Sequence, residues 1–208
     1  MKITIVSGSH RKPSQSMKVA QYIEKDLIDK QLCDEVEILD LAGEFASWPI
    51  PLWDEGIWNG EQHWLDILNP ISEGLANSDA FVIISPEYHG QVPSALKNFF
   101  LMWGKGELAH KPAMLVAVSS ADGGAYPIAE LRMSSYKNNR ICYIPEQTII
   151  RNVESVLNDN PDDNNADADS YFRGRITFNL KILKEYATAL KTVRDSGMGY
   201  NLDYKNGM

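Results

Sequence analysis

Short apolar runs alternate along this chain with amphipathic helical patterns, and that alternation restricts the fold more than any other feature of the sequence. Three runs are almost continuously apolar, as strands are when helices cover both faces of a parallel sheet. A fourth run at 36–40 alternates in part and predicts a strand nearer the sheet edge, and 141–144 could supply a fifth. The three continuous runs lie at 3–6, 80–84 and 113–118.

Between these runs, apolar residues recur at steps of three and four, which indicates helices with one buried stripe. This succession of strands and helices is typical of an α/β protein with a doubly wound parallel sheet and helices on both faces. For five strands in the order 2-1-3-4-5, ligands bind between strands 1 and 3, at their carboxyl ends. The helical stripes span 17–27, 64–75, 95–100 and 172–190.

Two segments depart from the alternation. Residues 42–60 contain three tryptophans and two prolines and predict a long loop that is too aromatic to be a mere connector. Residues 152–170 are rich in Asn and Asp and predict a mobile, solvated excursion before the last helix. No helical stripe follows Asp195, so we expect a single domain over 1–194 and a C-terminal arm over 195–208.

Length and charge exclude several classes of protein. The 208 residues suffice for one domain with its own core. The net charge of the chain is −8. Six acidic residues and no Lys or Arg fall within 152–170, so the rest of the chain carries a net charge of only about −2. A nucleic-acid-binding face needs clustered basic residues, and we therefore expect no nucleic-acid partner.

The two cysteines, Cys33 and Cys142, form no CxxC pair, which argues against a disulfide framework and fits a reducing compartment. The histidines show no metal-ligand spacing, so we predict no metal site. No apolar run approaches the roughly 18 residues of a transmembrane helix, and the N-terminal run is too short for a signal peptide. We therefore expect a cytoplasmic protein without membrane insertion.

The loop after the first strand, 7–16, has the composition of an anion site. It offers hydroxyl groups, the guanidinium of Arg11 and the free amides of a helix N-terminus, which together suit a phosphate dianion. The alternative is a solvated loop in which Ser14 or Ser16 only caps the helix.

The loops after the third and fourth strands complete the predicted crevice. The loop 85–93 sets Tyr88 and His89 beside Gly90, where flat faces and exposed amides suit a planar heterocycle. The loop 119–126 exposes backbone at two adjacent glycines. For both loops a purely structural turn is the alternative.

Three motifs give the chain a resemblance to a known family. They are Gly-Ser-x-Arg-x-x-Ser at 8–14, Pro-Ile-Pro-Leu-Trp at 49–53, and the long block Pro-Glu-Tyr-His-Gly-Gln-Val-Pro-Ser-Ala-Leu-Lys-Asn at 86–98. Over roughly residues 1–145 the chain resembles the NADPH-dependent FMN reductase family, the flavodoxin-like group that includes chromate and quinone reductases and some azoreductases. The block at 86–98 is the most specific part.

The resemblance implies non-covalently bound FMN and a flavodoxin-like fold. The implied phosphate contacts are Ser9, Arg11, Ser14, Gln15 and Ser16. The implied isoalloxazine contacts are Pro86, Glu87, Tyr88, His89 and Gly90, with Ser119, Gly123 and Gly124 closing the far side. The family usually has Asn where His89 stands.

The activity implied by the resemblance is ping-pong hydride transfer from NADPH or NADH through FMN to a small acceptor: a quinone, an azo compound, a metal oxyanion or free flavin. Backbone amides at 88–91 would stabilise the reduced ring, and no catalytic side chain is evident. Members are commonly homodimers or homotetramers.

Alternatives remain at the level of the sequence. Trp48, Trp53, Trp58 and Trp103 could line the acceptor pocket, or they could be packing and interface residues. The protein could instead be a flavodoxin-type electron carrier, or an FMN-binding interaction protein without turnover. Consumption of NAD(P)H with a quinone would separate an enzyme from both.

Overall fold

The structure is a computed structural model that describes residues 1–43, 50–200, 202–204 and 206–207. Within these ranges the β-strands are β1 (Lys2–Ser7), β2 (Glu35–Asp40), β3 (Ala80–Pro86), β4 (Pro112–Val118) and β5 (Cys142–Ile150). The α-helices are α1 (Gln15–Asp29), α2 (Glu55–Asn59), α3 (Gln62–Ala76), α4 (Ser94–Met102), α5 (Ala125–Ser134) and α6 (Ala166–Asp195).

The strands form one parallel sheet in the order β2-β1-β3-β4-β5, which confirms the predicted topology. Helices α1 and α6 pack on one face of the sheet, and α3, α4 and α5 pack on the other. Every residue of β3 and β4 is buried, as expected for central strands covered on both sides. β2 is half-buried and lies at the edge, also as predicted.

The fifth strand is longer than the sequence predicted. It continues past Ile144 through Pro145, Glu146 and Gln147 to Ile150, and its pairing with β4 shifts register between Ala113 and Leu115. A proline and polar residues are tolerated there because β5 lies at the edge of the sheet and the pairing is irregular at that point. These residues obscured the strand in the sequence.

The expectation of a solvated excursion over 152–170 is wrong for its first part. Val153, Val156 and Leu157 are buried in the core beneath α1 and α6. The ammonium of Lys18 on α1 donates to the carbonyls of Val153 at 2.6 Å and Val156 at 2.9 Å. Exposed residues of this segment are concentrated at 159–163 and 165–167.

The same segment also starts the last helix earlier than predicted. The side chain of Asn165 caps α6 by accepting from the amide of Ala168, and Asp167 and Asp169 occupy the first turn. Carboxylates stabilise a helix N-terminus, which accounts for part of the acidity of this segment.

After α6 the chain runs back over the loop that precedes β5. Arg140 donates to the carbonyl of Tyr204 at 2.5 Å, and the amide of Gly207 donates to Asn138 at 3.3 Å. The division into a domain over 1–194 and an arm stays a prediction. Among the described residues, no helix is both long enough and apolar enough to span a bilayer.

A buried lysine closes the end of α3. The ammonium of Lys111, which is 4% exposed, donates to the carbonyls of Leu75, Ala76 and Glu107 at 2.6–2.8 Å. Leu75 and Ala76 are the last two residues of α3, where carbonyls lack the usual partner one turn further along the helix, and Glu107 lies in the loop before β4. Burial, with the nearby charge of Arg194, lowers the pKa of Lys111 to about 8.

We expect this lysine to make stability depend on pH in one window. Its pKa is lower in the folded than in the unfolded chain, so from pH 8 to about 10.5 the unfolded chain binds more protons and folding becomes more favourable as pH rises. The free energy of unfolding of wild type relative to Lys111→Met should increase by up to roughly 3 kcal/mol across this window. Urea titrations at each pH measure the difference, and a constant difference would contradict the shift.

Candidate functional site

The loops after β1 and β3 are held together by a backbone contact. The amide of Gly8 donates to the carbonyl of Ile84 at 2.8 Å, and a Cβ on Gly8 would lie only 2.4 Å from that oxygen. One residue further, the hydroxyls of Ser9 and Tyr88 share a hydrogen bond of 2.8 Å. The structure therefore brings the first two predicted loops into one site.

The start of α1 has the features of an anion site. Ser14 caps the helix, and its hydroxyl accepts from the amide of Met17 at 3.3 Å. The amides of Gln15 and Ser16 have no acceptor inside the helix, as at any helix N-terminus. The hydroxyl of Ser16 is 1% exposed and has no partner among the described residues. Buried hydroxyls are nearly always paired, so this one points to an absent acceptor such as a phosphate oxygen.

Arg11 lies between the two loops. Its amide donates to the hydroxyl of Ser9 at 3.1 Å, and its guanidinium lies 5.8 Å from the ring centre of Tyr88. The side chain is exposed, so its donors remain available to an anion. The hydroxyl of Ser9 already bonds to Arg11 and Tyr88, so it fixes the shape of the loop in addition to being a candidate phosphate contact.

The segment after β3 is a two-residue hairpin turn. Tyr88 and Gln91 exchange hydrogen bonds of 3.1 and 3.0 Å, and His89 and Gly90 both have positive φ, at 51° and 73°. This is the type I′ geometry, which favours Asn-Gly and tolerates His at its first central position. The conformation of this turn thus explains why the family usually has Asn at position 89. His89 adopts the same conformation.

The turn corrects one expectation about backbone donors. The amides of Tyr88 and Gln91 are used inside the turn, so they are not spare donors. Those of His89 and Gly90 donate to no described residue. Beside them lies the exposed ring of Tyr126 at the start of α5, 3.8 Å from where a Cβ on Gly90 would be.

Glu87 bonds to the loop after β4, and its contact with an isoalloxazine stays a prediction. Its carboxylate accepts from the amide of Gly124 at 2.5 Å, and its own amide donates to the carbonyl of Val118 at 3.0 Å. Gly123 leaves room for the carboxylate, because a Cβ there would lie 2.7 Å from Oε1. Glu87 therefore joins the loop after β3 to the loop after β4.

The loop after β4 is fixed from β5. Ser119 bonds through its amide to the carbonyl of Ile150 at 2.9 Å, and its hydroxyl accepts from the amide of Ala121 at 3.2 Å. Gly124 has φ of 104°, and a Cβ on it would lie 2.4 Å from Ile149, so only glycine fits. Pro86 is the buried last residue of β3, and its contact with an isoalloxazine stays a prediction.

Sequence reasoning missed Arg151. Its Nε donates to the carbonyls of Asp122 at 2.7 Å and Gly123 at 3.2 Å, which ties the third loop to the end of β5. The predicted strand ended at Ile144, so the register that brings Arg151 to this loop was not apparent. No local pattern in the sequence marks it.

The Leu-Lys-Asn part of the long motif supports the site from α4. Lys97 pairs with Glu130 on α5 at 2.6 Å, and the other carboxylate oxygen of Glu130 accepts from the amide of Val92 at 2.9 Å. Burial by itself would raise the pKa of Glu130, but the bonds from Lys97 and Val92 hold that pKa below its ordinary value. Asn98 holds the Trp-rich loop by bonding to the amide of Trp53 at 2.8 Å and the carbonyl of Pro51 at 2.9 Å.

The tryptophans divide between core and surface. Trp103 is buried against Phe99, so it is a packing residue. Trp53 is half-buried and stacks edge-on against the exposed ring of Trp58, with 5.4 Å between ring centres. Trp48 lies outside the described residues. The predicted loop over 42–60 also includes the short helix α2.

A groove of about 760 Å³ is lined mainly by residues of α3, α4 and α5. Its apolar lining includes Trp58, Trp64, Phe100 and Leu101. Of the three loops predicted to bind a cofactor it reaches only that after β3, at Val92 next to the turn, and it also includes Ile57 and Trp58 of the predicted loop over 42–60. Two tryptophans that the sequence marked as pocket or interface candidates, Trp58 and Trp103, line this groove. The groove as a whole was not predicted, because its lining comes from elements far apart in the sequence.

Comparison with known proteins identifies the family of this chain. The family model described as NADPH-dependent FMN reductase matches residues 1–155. An NADPH azoreductase from Bacillus sp. (strain OY1-2) is 29% identical over 152 residues, covering 72% of this chain and 76% of that protein. An FMN-dependent NADPH-azoreductase from Staphylococcus saprophyticus is 28% identical over 134 residues, covering 64% and 68%.

Solved structures agree on the fold. The flavoenzyme NAD(P)H:(acceptor) oxidoreductase from Paracoccus denitrificans superposes with a TM-score of 0.68 at 18% identity, covering 90% of this chain and 97% of that one. An NAD(P)H:quinone oxidoreductase from Methanothermobacter marburgensis gives a TM-score of 0.60 at 14% identity, covering 88% and 97%. With the family model matching most of its length, the chain belongs to the NADPH-dependent FMN reductase family.

Proposed function

We propose that the loops after β1, β3 and β4 bind FMN and that the protein uses it to reduce a small acceptor with hydride from NADPH or NADH. The observation that carries the proposal is the buried, unpartnered hydroxyl of Ser16 at the N-terminus of α1. A phosphate monoester supplies the acceptor which that hydroxyl lacks, and the helix dipole favours its charge.

The first loop binds the phosphate. Arg11 supplies the mobile charge, Ser16 a buried donor, and the first-turn amides of Gln15 and Ser16 complete the cradle. Ser14 fixes the start of the helix, and Ser9 fixes the loop against Tyr88.

The second and third loops flank the isoalloxazine. The amides of His89 and Gly90 are the available donors for the polar edge of the ring, and Pro86, Glu87 and Tyr88 position them. Ser119, Gly123 and Gly124 form the far wall. When bound, FMN supplies the hydride relay between nicotinamide and acceptor, so the protein needs no acidic or basic side chain of its own at the reacting atoms.

The exposed face beside the turn admits both substrates in succession, which gives ping-pong exchange. The ring of Tyr126 stands at this opening next to Gly90. Two relatives are azoreductases, so an azo compound is the first acceptor to test, with a quinone second. The free, half-buried Cys33 and Cys142 support a cytoplasmic location.

The purified protein tests the function directly. We expect a visible flavin spectrum that NADPH bleaches without oxygen and that an added azo compound restores, with steady consumption of NADPH under turnover. An electron carrier would retain the flavin without sustained NADPH oxidation, and an FMN-binding interaction protein would show no turnover with any acceptor. A colourless protein that takes up no FMN would refute the proposal.

Two substitutions in the first loop test the phosphate site. Arg11→Ala should weaken FMN binding about tenfold to a hundredfold, since one charge-assisted contact to phosphate is lost. Ser16→Ala should weaken it severalfold while leaving the apo-protein equally or more stable, because it removes a buried hydroxyl without a partner.

Fluorescence titration gives the FMN dissociation constants, and thermal unfolding gives the stability. Lys30→Ala is the control, since it removes one positive charge at the opposite end of α1. Equal FMN affinity in all three variants would refute the assigned phosphate role.

We also propose a homodimer or homotetramer in which a second copy covers the groove between α3, α4 and α5. Leu101 and Trp58 at its rim are largely exposed, and monomeric proteins rarely expose continuous apolar patches.

Substitution at the groove rim tests this interface. Leu101→Glu should convert the oligomer to a smaller species in light scattering after gel filtration, because it buries a charge against apolar surface. Ile28→Glu on α1 is the control, being 57% exposed where Leu101 is 56% exposed. Loss of the oligomer in both variants, or in neither, would contradict this interface.

A further inference from the structure

One peptide group in the wall of the site lies between two charges of opposite sign. The carboxylate of Glu87 accepts from the amide of Gly124 at 2.5 Å. The guanidinium of Arg151 donates to the carbonyl of Gly123, the other end of the same peptide group, at 3.2 Å. The anion therefore faces the N–H and the cation faces the C=O, which fixes the orientation of this peptide.

The carboxylate is enclosed as well as bonded. Gly123 leaves only enough space for it, since a Cβ at that position would lie 2.7 Å from Oε1 and 3.1 Å from the carboxyl carbon. The backbone of Glu87 is fixed by its bond to Val118, and Gly124 is buried with a φ that other residues rarely adopt. Glu87 thus has one well-defined position, at the junction of the two loops.

This position has an electrostatic consequence for a cofactor between those loops. Hydride uptake brings two electrons and one proton and so adds one negative charge to a neutral flavin ring. A fixed carboxylate nearby disfavours that added charge, and a half-buried site screens it less than open water does. Arg151 at the other end of the peptide group is exposed, so solvent screens its charge more than that of the half-buried Glu87. The anion therefore dominates and weakens binding of reduced FMN relative to oxidised FMN.

We propose that Glu87 is a positioning residue that also sets the reduction potential of the cofactor. Its hydrogen bond to Gly124 holds the loops after β3 and β4 together, next to the amides of His89 and Gly90 that the turn does not use. Its charge lowers the potential, which makes the reduced cofactor a stronger donor to the acceptor. This inference rests on the proposed function, because it requires FMN between these loops.

Two substitutions separate the hydrogen bond from the charge. Glu87→Gln keeps an oxygen that accepts from Gly124 but removes the charge. It should leave the dissociation constant of oxidised FMN within about threefold and strengthen binding of reduced FMN about tenfold. For a two-electron couple, that tenfold change is a positive shift of about 30 mV in the midpoint potential.

Glu87→Ala removes the hydrogen bond too and leaves the buried amide of Gly124 without its acceptor. It should weaken binding of oxidised FMN about tenfold or more. Glu73→Gln is the control, since it removes the same formal charge from an exposed position near the C-terminal end of α3, away from the loops. Glu73→Gln should change neither the dissociation constant of oxidised FMN nor that of reduced FMN.

The measurements are fluorescence quenching of FMN by apo-protein and a redox titration followed by absorbance, neither of which depends on turnover. A potential unchanged in Glu87→Gln, or shifted equally in Glu73→Gln, would overturn the inference while FMN binding by wild type stands. Failure of wild type to bind FMN would overturn the proposed function and this inference with it. If Glu87→Ala does not fold, the glutamine variant alone decides.

Discussion

The backbone after β1 approaches β3 more closely than any side chain would allow, and the geometry of the site follows from that contact. Gly8 bonds to the carbonyl of Ile84, while Leu96 on α4 fills the space on its other side. With no Cβ between them, the two loops stay close enough for Ser9 to reach Tyr88. The loop proposed to bind the phosphate and the loop proposed to bind the ring are therefore bonded directly to each other.

The order of strands and helices was predictable because both faces of the central sheet are buried, so β3 and β4 carry uninterrupted apolar runs. The end of β5 and the segment 153–157 were not predictable from local patterns. Their burial depends on partners far away in sequence, such as Lys18, which bonds to the carbonyl of Val153 across 135 positions. Hydrogen bonds of that kind leave no periodicity in the chain.

The candidate site was likewise predictable only in part from the sequence. Topology alone nominated the loops after β1 and β3, and the structure joins them through Ser9 and Tyr88. Which polar groups remain available within them depends on pairings the sequence does not display. The turn consumes two of its four amides, and Glu87 bonds to Gly124 on another loop. The roles of the remaining donors could be assigned only after these internal bonds were known.

The unpartnered hydroxyl of Ser16 has a consequence for the protein in a living cell. An apo-protein with a desolvated, unsatisfied group is less stable than its loaded form, and a ligand at a hundred times its dissociation constant adds about 2.7 kcal/mol. Proteases degrade the unfolded fraction, so a fall in the concentration of FMN inside the cell would also lower the abundance of this protein. Cofactor supply would thus regulate the amount of enzyme as well as its occupancy.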